Sequence, residues 1–519
     1  MGAGWRGTAS VSVGIFLLVA AVYAWVGPGR IDMIDGQYRY EVAKNIIESG
    51  SVQIEDLVLG GAVPGLTGAY SSYGLSGSVV ALPLIALARA TGPATHDRQQ
   101  FFFSFTSAVF GAATAGLLFL FLVCLEVRPR TALLWTCVAA FATLTFVAST
   151  TVFDQAQHGF FVLAACFCAW RGARQDSMAW IVAGGAAMAI LVNFQETYII
   201  LLPTIGLAAI SGGWLDAAER RRAIERYAVF VFVGCIGLLF YAGFNSFRFG
   251  SFLHSGKGVN HPSPIGNPLV GLPGLLVSPG KSIFLYSPPT AIALIGLYRL
   301  LLSHRVLGLA VVTSILAHGA MISMLSFYGG DWCWGPRYFA TTLPLTALGF
   351  PFATFSRAYA RLAVRALVVA GVCVQLLGLS LDHHRFFYAR SLPAFFWYGN
   401  NSFYFQESAL FARPGEIVDS IQHGVPPEAD LFRPGPYSNR LTYAVFGGWG
   451  HPELTPPLWM RHYRVFWLPR PWPLWMSAIP EEQLPIDLRT ANAILFAMAL
   501  AGAWAIRSGL RPKETDVRV

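Results

Sequence analysis

SVVALPLIALARAT, residues 78–91, is the stretch on which the fold turns. It is apolar, but it is short and carries Pro83, whereas a bilayer span needs roughly 20 residues. If it crosses a membrane, every later segment changes sides. Twelve other apolar runs reach crossing length, some with a few flanking residues: 10–27, 101–125, 131–151, 158–171, 178–194, 197–213, 227–246, 283–302, 306–327, 338–356, 363–381 and 490–506. Short cytoplasmic loops collect Lys and Arg, and this decides between the two counts. With 78–91 left out, one face receives Arg6, Arg128 and Arg130, Arg171 and Arg174, Arg220 to Arg222 with Arg226, Arg299 and Arg305, Arg357, Arg361 and Arg365, and Arg507, Arg511 and Lys513. With it counted, these clusters change sides while Arg6 stays, and the bias collapses. We therefore expect an all-α polytopic membrane protein of about 12 spans, with 78–91 lying on or dipping into the outer interface and both termini cytoplasmic.

Composition agrees. Of the 519 residues, 55% are hydrophobic and 12% charged, where a soluble domain carries about 25% charged residues. So few ionic groups cannot clothe a water-facing surface. The 36 Lys+Arg against 27 Asp+Glu give a net charge of +9. In a soluble protein that surplus would suggest an anionic partner, but here it orients helices, and no nucleic-acid partner is expected. Six of the seven cysteines fall in apolar runs, where they act as small hydrophobes; Cys333 lies in a loop, and no C-x-x-C spacing occurs. The N-terminus resembles a signal peptide, with Val22-Tyr23-Ala24 as a cleavage site, but the many later spans favour an uncleaved first helix. There is no obvious internal repeat.

Three parts follow: a membrane module over 1–381 whose first external loop is 28–100, a Pro/Trp-rich external domain over 382–489, and a last span with its cytoplasmic tail over 490–519. In the first loop, Tyr38, Val42, Ile46 and Ile47 keep one helical face apolar from Asp35 onward, which suits a helix resting on the membrane surface. GGAVPGLTGAYSSYGLSG, residues 60–77, is rich in Gly and Ser and reads as a flexible, substrate-shaped loop. The stretch PRPWPLWM, residues 469–476, is expected at the lipid headgroups.

Four external segments hold the polar residues fit for chemistry. Asp35 reads either as a helix N-cap or as a general base that takes a proton from an attacking hydroxyl, and both can hold at once. Asp32 is its understudy or like-charged partner. Asp154 and His158 are four residues apart, on one helical face, and read as a local hydrogen-bonded pair or as ligands to substrate or a divalent cation. Arg337 reads as an interfacial arginine or, against the positive-inside bias, as a fork onto a phosphate, with Lys281 offering a similar point charge. Glu196 is too costly to face lipid and belongs in a polar cavity, such as an acceptor site. Tyr70, Tyr73, Asp331 and Tyr338 are further substrate-binding or metal candidates. His318 and Gln375, inside spans, read as interhelical hydrogen bonders.

The order of five stretches resembles the GT-C-type glycosyltransferases, which include protein O-mannosyltransferases, aminoarabinose transferases and Rgt-like glycan transferases. They are DGQYRYEVAKNIIESGSVQIED at 35–56, YSSYGLSGSVVALPLIAL at 70–87, FDQAQHGFF at 153–161, LLVSPGKSIFLYSP at 275–288 and YGGDWCWGPRYFATTLP at 328–344. The resemblance implies a GT-C-type bundle with interfacial helices in the first loop, a small external C-terminal domain and a catalytic module within 1–381. It makes Asp35 the base, puts Asp154 near the active site and gives Lys281 and Arg337 the leaving phosphate. The family more often follows its acid with a second one, whereas Gly36 follows here; Glu55 or Asp56 could supply the other.

The expected protein is an inverting transferase that moves a sugar from a polyprenyl phosphate to a hydroxyl on a glycan, glycolipid or protein, at the outer face of a bacterial inner membrane. The donor is already activated, so no cofactor is required, no nucleotide-binding glycine motif is needed, and a divalent cation is left open. The alternatives are a ligase or polymerase of lipid-linked oligosaccharides, and a lipid or small-molecule transporter. A transporter should carry its polar residues near mid-span, whereas these lie at span ends.

Overall fold

The computed structural model describes residues 3–31, 33–54, 62–211, 217–257, 265–330, 333–383, 386, 402–405, 408–423, 470–477 and 479–511. Among these, six helices are long and apolar enough to cross a bilayer: Gly7–Val26, His96–Cys124, Glu219–Phe249, Arg305–Ser323, Ala358–Ser380 and Leu488–Gly509. The other expected runs are helical too, several in shorter pieces: Pro129–Phe141, Gln155–Gln175, Met178–Val192, Leu201–Gly206, Thr290–Ser303 and Leu343–Ala347. Large apolar side chains face outward from the bundle, among them Leu239 (72% exposed), Trp504 (71%) and Phe232 (70%). Water would penalise such a surface, whereas lipid accepts it.

The deciding stretch folds as Ser76–Val79 and Leu82–Ala90. Pro83 stands in the first turn of the second piece, where its missing N–H costs nothing. At 1.5 Å per residue this piece reaches about 14 Å, less than half of a hydrocarbon core of about 30 Å. It packs instead on the first-loop helix Ile34–Ser49, with Ala81 and Ile85 against Tyr40, Ala43 and Phe103.

The helix Ile34–Ser49 departs from expectation. Gln37 through Ala43 are all buried, so it does not rest on the membrane with one wet face. Its polar groups are paired inside: Gln37 Nε2 donates to Glu41 Oε1 at 2.8 Å, Gln100 Nε2 to Gln37 Oε1 at 3.1 Å, and Lys44 Nζ reaches Glu41 Oε2 at 2.6 Å. Within the Gly-Ser stretch, Ala62–Pro64 and Ala69–Ser71 form strands, and the all-α expectation is corrected by a small antiparallel sheet. Strands β1 (Gln53–Ile54), β2 (Ala62–Pro64) and β3 (Ala69–Ser71) pair in the order β1-β3-β2, with Tyr70 opposite both Gln53 and Val63. Backbone pairing and a fully buried Tyr70, edge-on to Phe247 and Phe249, supply the order that the composition did not suggest.

The first and last helices pack antiparallel through glycines, so Gly7 and Gly509 meet at one end of the bundle. A Cβ on Gly14 would sit 2.7 Å from the Gly502 carbonyl, and one on Gly502 would sit 2.6 Å from the Gly14 carbonyl. Close backbone approach of this kind is how apolar helices associate in lipid, where no hydrophobic drive separates protein from solvent. At the other end, Trp472 and Trp475 are buried against protein. Trp472 Nε1 donates to Ala24 O at 2.6 Å and Trp475 Nε1 to Pro28 O at 2.9 Å, and Trp472 lies edge-on to Phe101. The segment therefore stops the C-terminal end of the first helix, because each buried indole N–H finds a carbonyl at or just past that end. Most of the expected external domain, 382–489, lies outside the described residues, as do Asp32, Glu55, Asp56 and Asp331.

Gly14→Leu should undock the last helix. Overpacking of this kind costs about 1–3 kcal/mol, read as a lower thermal midpoint in detergent, whereas Val13→Leu at an exposed neighbouring position should leave the midpoint unchanged.

Candidate active site

Asp35 stands in the first turn of its helix, after an extended Met33 that makes no side-chain cap. Its carboxylate is free of capping duty. Oδ1 accepts a hydrogen bond from the Tyr73 hydroxyl at 2.6 Å, and Oδ2 lies 3.7 Å from Arg337 Nη1. Burial and the neighbouring Asp35 charge hold the Tyr73 phenol well above its ordinary pKa, so it stays protonated and donates. Arg337 opens the short helix Arg337–Thr341; its guanidinium lies 3.8 Å over the Phe153 ring, and Nη2 donates to the Tyr338 hydroxyl at 3.4 Å. Gly330 (φ +80°) packs on the Arg337 side chain, where no Cβ would fit.

Asp154 and His158 meet, as their spacing implies: His158 Nε2 lies 3.4 Å from Asp154 Oδ2. His158 Nδ1 is 2.7 Å from the Tyr198 hydroxyl, which is 3.2 Å from Thr341 Oγ1, four residues after Arg337. The stronger partner of Asp154 is one that sequence reasoning missed. Arg39 Nη2 reaches Asp154 Oδ2 at 3.0 Å, Nη1 donates to Val152 O at 3.2 Å, and the guanidinium lies 4.9 Å over the Tyr73 ring. Burial alone would raise the Asp154 carboxyl pKa, but the positive charges of Arg39, His158 and Arg337 outweigh it and hold that pKa below the ordinary carboxylate range. The available signal was the spacing of Asp35 and Arg39, four apart and so on one helical face. Two carboxylates and two guanidiniums, drawn from three distant stretches of chain, thus form one cluster that meets Tyr73 at its hydroxyl through Asp35 and at its ring through Arg39.

Other candidates lie elsewhere. Lys281 is buried, and its ammonium donates to Cys333 O and Gly335 O, both at 3.1 Å; it braces the turn that precedes Arg337. Glu196 Oε2 accepts from Tyr241 at 2.8 Å and from Lys257 Nζ at 2.9 Å, a half-buried cluster of its own. The Tyr70 hydroxyl bonds Thr67 Oγ1 at 2.6 Å within the hairpin. No three His, Cys, Asp or Glu side chains gather into a metal cluster among the described residues. Gly36 leaves no room for a side chain: its Cα faces Val152, whose Cβ would be 2.9 Å from any Cβ placed there.

No protein-family model matches the chain, and no curated protein matches it in sequence. Among solved structures it is similar to ArnT from Cupriavidus metallidurans in the apo state, at 15% identity and a TM-score of 0.48, covering 78% of each chain. The same protein bound to undecaprenyl phosphate is similar at 16% identity and a TM-score of 0.47, covering 81% of this chain and 80% of that one. The Archaeoglobus fulgidus oligosaccharyltransferase in its apo form is similar at 12% identity and a TM-score of 0.44, covering 75% of this chain and 59% of the other. Likenesses of this degree fix neither a substrate nor a site.

Because the Asp154 pKa is depressed in the folded state, its ion pairs contribute fully above the unfolded value of about 4. That contribution fades as pH falls toward the lowered folded value. Asp154→Asn should cost about 3 kcal/mol at neutral pH by leaving Arg39 uncompensated, and should flatten the loss of stability below pH about 4. Thermal unfolding in detergent across that range reads both effects.

Proposed function

We propose that the protein is an inverting glycosyltransferase that moves a sugar from a polyprenyl-phosphate donor to an acceptor hydroxyl at the outer face of a bacterial inner membrane. The observation that carries this reading is the Asp35 carboxylate, unspent on its helix, aimed by a phenol and 3.7 Å from a buried guanidinium. Asp35 takes the proton of the acceptor hydroxyl as its oxygen attacks the anomeric carbon. The bond from that carbon to the phosphate oxygen breaks on the opposite side, and its electron pair leaves with the polyprenyl phosphate. One base and one displacement invert the centre.

Arg337 is the phosphate's partner. Its contact to Asp35 is long, whereas Arg39 holds Asp154 at 3.0 Å. A phosphate can replace the first contact and not the second. Donor binding then draws the guanidinium toward the leaving group, where negative charge develops, and leaves Asp35 to its proton. Lys281 acts behind Arg337 by holding the 333–335 turn. The twelve expected runs, six of them long enough alone, would carry the chain across the membrane with both termini inside.

Wild type and Asp35→Asn are compared in membranes supplied with pooled radiolabelled polyprenyl-phosphate sugars and envelope extract. Wild type should consume one donor, and Asp35→Asn should lower turnover by about 10²–10⁴ while still binding that donor. Full activity in Asp35→Asn would remove it as the base. Arg337→Gln should lower kcat/KM for the donor by about a hundredfold.

A further inference from the structure

Arg248 closes the long helix Ala217–Phe249 and is 1% exposed, and no step above uses it. Among the described residues it forms no ion pair. Nη1 instead donates to two backbone carbonyls, those of Ser71 and Tyr73, the latter at 3.1 Å. Nη2 donates to Asn245 Oδ1 at 2.7 Å, and the Phe244 ring lies 4.2 Å from the guanidinium. The Arg248 carbonyl in turn accepts the Leu66 N–H at 2.9 Å, in the turn between β2 and β3. One residue thus grips the hairpin both before and after β3.

A buried cation whose direct partners, among the described residues, are carbonyl and amide oxygens rather than a carboxylate is expensive, so its retention calls for a reason. The reason lies two bonds further on. The carbonyls it holds bracket the turn that carries Tyr73, and the Tyr73 hydroxyl donates to Asp35. A cavity lined by Val42, Ser71, Tyr73, Gly74, Phe244 and Arg248 lies along one side of this turn, so the bonds from Arg248 add to the backbone packing at Gly74 on another. A planar fork of five N–H groups can hold two carbonyls and an amide oxygen in fixed directions, whereas an ammonium on a flexible stem cannot.

We propose that Arg248 is a positioning residue, fixing the Ser71–Tyr73 turn so that the Tyr73 hydroxyl meets Asp35 and sets the aim of the base. The proposal rests on the role given to Asp35 above. It is tested with full-length protein as Arg248→Lys, Tyr73→Phe and the double variant, by two measurements. Hydrogen exchange should quicken about tenfold in peptides covering 69–75 in Arg248→Lys, the loss of one hydrogen bond's worth of protection, with peptides from 34–49 unchanged. Each single variant should lower kcat about tenfold at an unchanged donor KM, and the double variant should fall no further than Tyr73→Phe alone.

Unchanged exchange in 69–75, additive losses in kcat, or a loss expressed only in KM would each overturn the proposal. If exchange responds as expected but wild type transfers no sugar to any acceptor, the anchoring of the turn stands, and the aim of a base falls with the transferase reading. Should Arg248→Lys fail to fold, Asn245→Ala removes the acceptor at Nη2 and should move both readouts the same way by a smaller amount.

Discussion

The ion pair between Arg39 and Asp154 is what the rest of the site hangs from. Both side chains are nearly closed to solvent, and their separation is 3.0 Å. Taking two such charges out of water is repaid only when the remaining donors and acceptors are also met. Here they are met in part by Gln155 on Asp154 Oδ1 at 3.2 Å, by His158 on Oδ2, and by Val152 O on Arg39. The pair ties the helix Ile34–Ser49 to the start of the Gln155–Gln175 helix across a wide gap in sequence. Gly36 lets the two approach closely enough for it to form. Once Arg39 is fixed, Asp35 one turn earlier has its place, and Tyr73, under the guanidinium, has its ring plane.

Much of this was legible in the sequence, and the parts that were not share a cause. Composition and the Arg-rich loops point to a polytopic bundle, because burial against lipid and the sign of loop charge are averaged over many residues. Asp154 and His158 were legible as a pair since helical periodicity is local. Arg39 escapes the sequence, because periodicity tells which residues share a face and not what that face meets. Lys281 reads in sequence as a point charge for a phosphate, and what the sequence does not show is that the chain closes over its stem at Gly329 and that its ammonium donates to backbone carbonyls. The three strands escaped notice because each has only two or three residues, too few for an alternating pattern to show. Trp472 and Trp475 look interfacial by composition and are structural by contact.

The polar residues inside the bundle bear on which class of protein this is. His318 Nδ1 lies 3.2 Å from Thr342 Oγ1, Gln375 Nε2 donates to Tyr286 O at 2.7 Å, and the Ser314 hydroxyl donates to Thr204 Oγ1 at 2.9 Å. Each bond joins separate segments, as interhelical polar contacts in lipid do. Groups engaged in this way brace the bundle and offer no row of open sites from one end to the other. A transporter needs its binding groups near the middle, at broken helices that can rock between two openings. Here Asp35, Asp154, Arg337 and Tyr73 meet where helices begin or loops turn, and the tight contact of the first and last helices through Gly14 and Gly502 joins the two ends of the chain into one packed body. A site fixed at helix ends by a buried ion pair, with these mid-span polar groups among the described residues engaged in bracing, suits the transferase proposed above better than a path for cargo.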